Sequence, residues 1–400
     1  MTNTMKFATL AVHAGQRPDA HTGAVNVAVS LTSTFQMDGI GELRNGFEYA
    51  RSDNPSRRAL ETSIATLEGG KHALCFASGQ AASTAILDLL EPENEIVTTA
   101  NIYGGTYRLF HKVYNKYGIT VRVADETTPE SIQNALSNKT TLVWTESPSN
   151  PLLTLLDLAE TAERIKGFKN EKGEKPLLVV DNTFPSPAFQ NPLALGADIV
   201  SHSCTKYIGG HSDVIGGAIV VNDETLWQKL KFYQNAGGAV QAPMDCYLLQ
   251  RGLRTLPLRM KKHEENAYRV AEFLRGNPHV QEVFFPGFED FPNHQLVAKQ
   301  MKGLPGIVSF KIRGSLVSVK RFFAGLQLFI LAESLGGVES LLCHPASMTH
   351  AALPESERQK IGITDNLIRL SMGIEDADDL IDDLRNSLNW CFGTAPKYTT

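Results

Sequence analysis

From Asn54 onward the chain alternates short apolar runs with amphipathic stretches, and this alternation restricts its fold more than any other feature. The runs are "HALCFAS", "NEIVTTA", "TVRVAD", "TTLVWTE", "PLLVVDN", "DIVSHS" and "GGAIVVN". Between them lie segments such as "GQAASTAILDLL" and "GTYRLFHKVYNKYG", patterned as helices. Near-continuous apolar strands separated by helices specify a mostly parallel sheet covered on both faces. The expected large domain is therefore α/β with seven strands, over residues 54–250. Beyond it, "CYLLQRGLRTLPLRMKKHEENAYRVAEFLRG" reads as a long helical passage interrupted near Pro257. "GIVSFKIRG" and "NLIRLSMG" are strand-like, and "DADDLIDDLRNSLNW" is an amphipathic closing helix. A smaller C-terminal α+β domain over residues 251–400 is expected. Residues 1–53 are irregular and polar with no long period, which reads as an arm that packs on another body.

Composition narrows the function classes. With 42% hydrophobic residues in 400, the chain has material for more than one core. Its formal net charge is −5 and its basic residues are scattered, which argues against a nucleic-acid surface. The start, "MTNTMKFATLAVHAG", has no apolar region of signal-peptide length, and no run approaches a membrane span. A soluble, cytoplasmic protein with no membrane partner is the expectation. Cys75, Cys204, Cys246, Cys343 and Cys391 are far apart and form no C-x-x-C pair. They read as small buried thiols in a reducing compartment, with no disulfide framework or metal site.

One lysine stands out. In "ADIVSHSCTKYIGGHSDVIGGAIVV", Lys206 lies among small hydroxyl residues between two apolar runs, where a fully buried lysine is rare. A second carboxyl-end signal is Asp181, which closes the run "LLVVD". Chemistry in parallel sheets collects at the carboxyl ends of strands, so Asp181 and Lys206 are expected to face one cavity. Pyridoxal phosphate (PLP) needs such a pair: an amine to condense with its aldehyde and a carboxylate to hold its ring nitrogen protonated. Ser203 and Thr205 offer hydroxyls to phosphate oxygens. Ser78, Gly79 and Gln80 stand at an expected helix start, where free N–H groups favour an anion. Nucleotide-type phosphate loops are absent, since "LEGGKHA" carries His72 where a P-loop has Ser or Thr. His202 and His211 flank the lysine without a metal-ligand partner at helical spacing and read as structural.

Taken together, "SCTKYIGGHSD", "VVDNTF", "YARSDNPS", "YGGTYR", "ESPSNP" and "LAESLGG" resemble the cystathionine and methionine group of fold-type I PLP enzymes. The resemblance runs from about Phe7 to Asn389. It implies the aspartate aminotransferase-like fold and PLP as cofactor. The implied activity is that of a cystathionine γ-lyase, with cystathionine γ-synthase as the alternative. Methionine γ-lyases and homoserine sulfhydrylases look more distant.

Carried onto this sequence, the resemblance implies that Lys206 holds the cofactor and shuttles protons, while Asp181 pairs with the ring nitrogen. Tyr103 would stack on the ring and Asn150 would contact its phenolic oxygen. Ser78, Gly79, Gln80, Ser203 and Thr205 would hold the phosphate. Arg369 would bind the substrate carboxylate, with Glu333, Ser334, Asn150 and Arg108 completing the substrate pocket. On a strand, Arg369 shares a face with Leu367 and Ser371, leaving Ile368 and Leu370 to the core. Tyr49 and Arg51 would reach the phosphate of a neighbouring subunit, in a homotetramer built from two catalytic dimers. The sequence departs from the family's pattern in "VNVAVSLTSTF", at Gly209, often Asn there, and at Gln80, more often apolar there.

Overall fold

A computed structural model describes residues 5–393; residues 1–4 of the expected arm and 394–400 of the expected C-terminal domain lie outside it. All seven apolar runs are strands of one sheet: β1 (His72–Phe76), β2 (Glu95–Thr98), β3 (Thr120–Val123), β4 (Thr140–Glu146), β5 (Leu177–Asp181), β6 (Ile199–Ser203) and β7 (Gly217–Val221). Their order is β1-β7-β6-β5-β4-β2-β3. β7 runs antiparallel to both β1 and β6, and the remaining pairings are parallel.

The pleat divides the sheet's side chains between two cores. Val143, Leu178, Val180, Val200 and Val220 pack in one cluster, while Leu142, Trp144, Val179, Ile199 and Ile219 pack in another on the opposite face. That double burial is why these strands read as continuous apolar runs rather than alternating ones.

Four helices bear on the cavity and on the N-terminal region: α1 (Phe7–His13), α2 (Pro55–Glu68), α3 (Gly79–Leu87) and α4 (Gly104–Arg108). In α2, Asn54 accepts the N–H of Ser56, Pro55 fills the first turn and Gly69 ends the helix at φ 73°. α3 starts at Ser78, whose side chain accepts the N–H of Ala81. The stretch after α4 continues as a π turn, Leu109–Val113, and a 3₁₀ turn, Tyr114–Tyr117, so the single helix expected there has three geometries.

A second sheet holds β8 (Val280–Phe284), β9 (Ile307–Ile312), β10 (Ile330–Leu331), β11 (Leu341–Cys343) and β12 (Leu367–Ser371), in the order β10-β11-β12-β9-β8. The closing helix, Ala377–Cys391, buries Leu380, Leu384 and Leu388 in the core beneath it. The long helical passage breaks between Leu253 and Leu256, ahead of Pro257, giving helices Pro243–Leu253 and Leu256–Arg275.

The N-terminal region is less irregular than its sequence. α1 is a helix whose one buried residue, Ala11, joins the main core of its own chain. With seven residues it is too short to show a period. Behind it, Ser63 of α2 donates to the carbonyl of Ala14 at 2.6 Å. From residue 17 to residue 53, by contrast, pairing is limited to isolated bridges such as Thr34–Tyr49, and Val25, Leu31 and Ile40 are exposed.

One close approach fixes the register of helix on sheet. A Cβ on Gly217 would lie 2.1 Å from the carbonyl oxygen of Ser78 and 2.8 Å from Cα of Gly79. The start of β7 therefore touches the start of α3 backbone to backbone. We expect Gly217→Ala to cost about 2–3 kcal/mol in chemical denaturation, because neither contacting atom can swing aside. Unchanged stability would contradict this contact.

Candidate active site

The carboxyl ends of β4, β5 and β6 lie side by side. Glu146 is the register partner of Asp181, which in turn pairs with Ser201. Above this edge is a cavity of about 270 Å³ that opens to solvent. Among the residues lining it are Lys206, Asp181, Tyr103 and Asn150, the phosphate candidates Ser78, Gly79, Gln80, Ser203 and Thr205, and Glu333, Ser334 and Arg369. Twelve of the residues singled out in the sequence thus converge from both sheets.

Three others do not line it. Arg108 is exposed on α4, although its charge acts on the Tyr103 phenol. Tyr49 and Arg51 are exposed on the N-terminal stretch, the guanidinium lying 5.3 Å over the tyrosine ring. Arg51 reaches Asn235 of its own chain, at 3.4 Å.

Lys206 sits in the connection between β6 and β7 and donates to Ser334 Oγ at 2.7 Å. Burial pushes its amine down to about 8, helped by the positive charge of Arg369 and opposed by Glu333. Arg369 is itself buried on β12. It donates through Nη1 to Asn150 Oδ1 at 2.9 Å and through Nη2 to the Ser334 carbonyl at 2.8 Å. Its neighbours Ile368 and Leu370 are in the core, as strand alternation requires. Ser334 serves both cations with φ at 110°, a conformation that costs on the order of 1–3 kcal/mol and that clusters at functional sites.

Asp181 accepts the backbone N–H of Thr183 at 3.0 Å. Burial raises its carboxyl, while the Thr183 hydrogen bonds and the His202 ring pull the other way. His202 points below the sheet edge to Glu68, at 3.0 Å, and Glu68 also accepts from Asn182 at 2.7 Å. That histidine is part of the fold's polar interior, as expected of it.

The candidate anion cradle is backbone first. Gly79 and Gln80, in the first turn of α3 where N–H groups have no helical acceptor, line the cavity beside Ser203. A Cβ on Gly79 would stand 3.1 Å from Cβ of Ser203, filling the cradle. Two of the expected hydroxyls have protein partners: Ser78 caps α3, and Thr205 donates to the Gly216 carbonyl at 3.3 Å and accepts its N–H at 3.1 Å. Residues that the sequence does not single out also line the cavity, among them Glu146, Thr183 and Thr349. Glu146 has the same signal as Asp181, a carboxylate closing an apolar strand.

Comparison with known proteins decides the family. The model for Cys/Met metabolism PLP-dependent enzymes matches residues 8–389. The chain belongs to this family. It is 49% identical to the cystathionine gamma-synthase of Mycobacterium leprae over 384 residues, covering 96% of this chain and 97% of that protein. It is 47% identical to the cystathionine gamma-lyase of Dictyostelium discoideum over 389 residues, covering 97% and 99%. The crystal structure of cystathionine gamma synthase from Xanthomonas oryzae pv. oryzae, in complex with aminoacrylate and cysteine, superposes with a TM-score of 0.92. The two sequences are 45% identical, with 98% of this chain and 100% of that one covered.

The fold is accordingly that of fold-type I, and the family's cofactor is PLP. The donor set in the cavity fits it: an amine poised near neutrality, a carboxylate at a strand end and a glycine-lined anion cradle. Among the described residues no cluster of three His, Cys, Asp or Glu is arranged to hold a metal, and no helix is long and apolar enough to cross a membrane.

The lowered amine has a measurable signature. With its value at about 8, the rate at which apoprotein takes up PLP should rise about fivefold between pH 7 and pH 8 and level off above pH 9. An unperturbed lysine would keep gaining about tenfold per unit through pH 9. Stopped-flow absorbance separates the two profiles.

Proposed function

We propose that the protein is a cystathionine γ-lyase, cleaving L-cystathionine with water to L-cysteine, 2-oxobutyrate and ammonia. The observation that carries this reading is the charge layout of the cavity. Arg369 offers a planar fork to one carboxylate, Lys206 lies beside it, and Glu333 places a carboxylate in the same space. A substrate with an amino-acid group at each end suits that layout. Glu333 can bind a distal ammonium but gains nothing from a terminal methyl, against which it would be desolvated.

Bound PLP supplies a protonated ring that takes up the charge left on a substrate carbon when its proton departs. The protein's own groups do the rest. Asp181 keeps the proton on the ring nitrogen. Lys206, as a free amine, removes the α-proton and later a proton from Cβ. Tyr103, which lines the cavity, gives a proton to the departing sulfur as the Cγ–S bond breaks, so that the electron pair leaves with sulfur and cysteine departs as the thiol. Water then hydrolyses the four-carbon remainder. Asn150 and Ser334 hold Arg369 in place throughout.

A second reading is cystathionine γ-synthase, joining L-cysteine to an O-acylated homoserine; the 49% identity to the Mycobacterium leprae enzyme supports it much as the 47% identity to the Dictyostelium discoideum enzyme supports the lyase. Both begin with the same proton removals and differ in whether a thiol leaves or adds. Comparing the rate of cystathionine breakdown with its formation from an activated homoserine ester and cysteine distinguishes them; faster formation would overturn the lyase reading. In either case Glu333→Val should lower the preference for cystathionine over methionine by about tenfold to a hundredfold, as expected for losing a charged hydrogen bond. The cofactor spectrum should not change. An unaltered ratio would remove Glu333 from substrate recognition.

Assembly belongs to the same proposal. Residues 1–53 act as an arm anchored on its own chain through α1, with residues 54–250 and 251–400 as the two domains, in a homotetramer of catalytic dimers. Val25, Leu31 and Ile40 are exposed, and Arg51 does not line the cavity of its own chain; both facts support an arm that completes a neighbour's site. The reading places the enzyme in the cytoplasm, which suits five free, buried cysteines. Mixing inactive Lys206→Ala and Arg51→Ala chains under exchange conditions should restore up to about a quarter of the parental activity, since half the dimers then hold one intact site. No recovery despite verified mixing would refute a shared site.

A further inference from the structure

Glu146 is a buried carboxyl that the proposed chemistry does not use. It closes β4 directly beside Asp181 on β5, and both side chains line the cavity. Only 6% of its surface is exposed, and among the described residues it forms no ion pair. Its hydrogen bonds join two segments that carry functional groups. Oε1 accepts the backbone N–H of Tyr103 at 2.7 Å, and the backbone N–H of Asn150 also donates to the carboxyl. Asn150 in turn accepts from Arg369. One carboxyl therefore anchors both the partly exposed tyrosine and, through Asn150, the buried arginine.

Two carboxyls at adjacent strand ends cannot both ionise cheaply in a desolvated space. Asp181 has the better claim to the charge. It accepts from Thr183 and lies near the His202 ring, whereas Glu146 has neutral N–H donors alone. Of the remaining charged groups on the cavity wall, Arg369 and Glu333 act on Lys206 and on Tyr103.

We propose that Glu146 is a positioning residue working in its neutral form, a proton-bearing carboxyl that holds Tyr103 and Asn150 without competing with Asp181 for the positive ring nitrogen. Burial first, and then the Asp181 charge, hold the Glu146 carboxyl well above the usual carboxylate range, in accord with this role. The inference rests on PLP lying between Asp181 and Lys206, but it is independent of which sulfur substrate is turned over.

Infrared difference spectroscopy tests it on the holoenzyme. Subtracting the Glu146→Gln spectrum from that of the parent at pH 7 should leave a carboxylic-acid C=O band. The amide keeps an acceptor and carries no charge, so Glu146→Gln should hold kcat/KM and PLP affinity within about threefold of the parent. Glu146→Ala, checked for folding by near-ultraviolet circular dichroism, should lose about tenfold to a hundredfold in kcat/KM. The loss should divide between lower kcat, through Tyr103, and higher KM, through Arg369. Two results would overturn the proposal: no acid band in the parent at pH 7, or a Gln variant as impaired as the Ala variant. A protein that binds no PLP at Lys206 would instead defeat the reading on which the inference rests, and absorbance reports that separately.

Discussion

A lysine amine brought out of water beside an arginine is unfavourable as an ammonium, and this condition organises the cavity. Moving Lys206 from its ordinary value to about 8 corresponds to about 3 kcal/mol against the charged form. The cost stands at all pH values below 8 and fades as pH climbs towards the usual lysine value, where the unfolded chain loses its proton too. The protein carries it because a free amine near neutrality is a nucleophile and a base. Everything around the lysine keeps that condition in force: Ser334 supplies a neutral acceptor in place of a carboxylate, Arg369 adds like charge, and Glu333 moderates the effect.

Much of this is readable in the sequence, for definable reasons. Strands buried on both faces leave uninterrupted apolar runs, so all seven are visible. Lys206 and Asp181 are legible because a charged residue at the end of such a run contradicts its surroundings. Arg369 is legible in the same way, as a cation between two core residues on β12. Glu146 carries an equal signal but has no expected partner in the cofactor, so the sequence alone suggests no role for it. α1 is hidden because one buried alanine in seven residues makes no period.

A sequence cannot express where hydroxyls spend their hydrogen bonds. By residue type, Ser78 and Thr205 should face a phosphate with their side chains, yet each is turned to the backbone, one capping α3 and the other bridging Gly216. With these two hydroxyls engaged by the protein, the donors left for the proposed phosphate include the main-chain N–H groups of the first turn of α3, which residue types do not reveal.

The antiparallel entry of β7 has a bearing on how the site comes into being. Because β7 returns at once alongside β6, the connection carrying Lys206 is closed by neighbours in the chain, with His202 paired to Ala218. Its hydrogen-bond partner Ser334 lies 128 residues further on, and Arg369 meets Asn150 across 219. Local closure forfeits little chain entropy, while the distant contacts must await the last strands. The groups that set the amine's surroundings therefore come from segments far along the chain, so the position of Lys206 and its lowered basicity have separate structural origins.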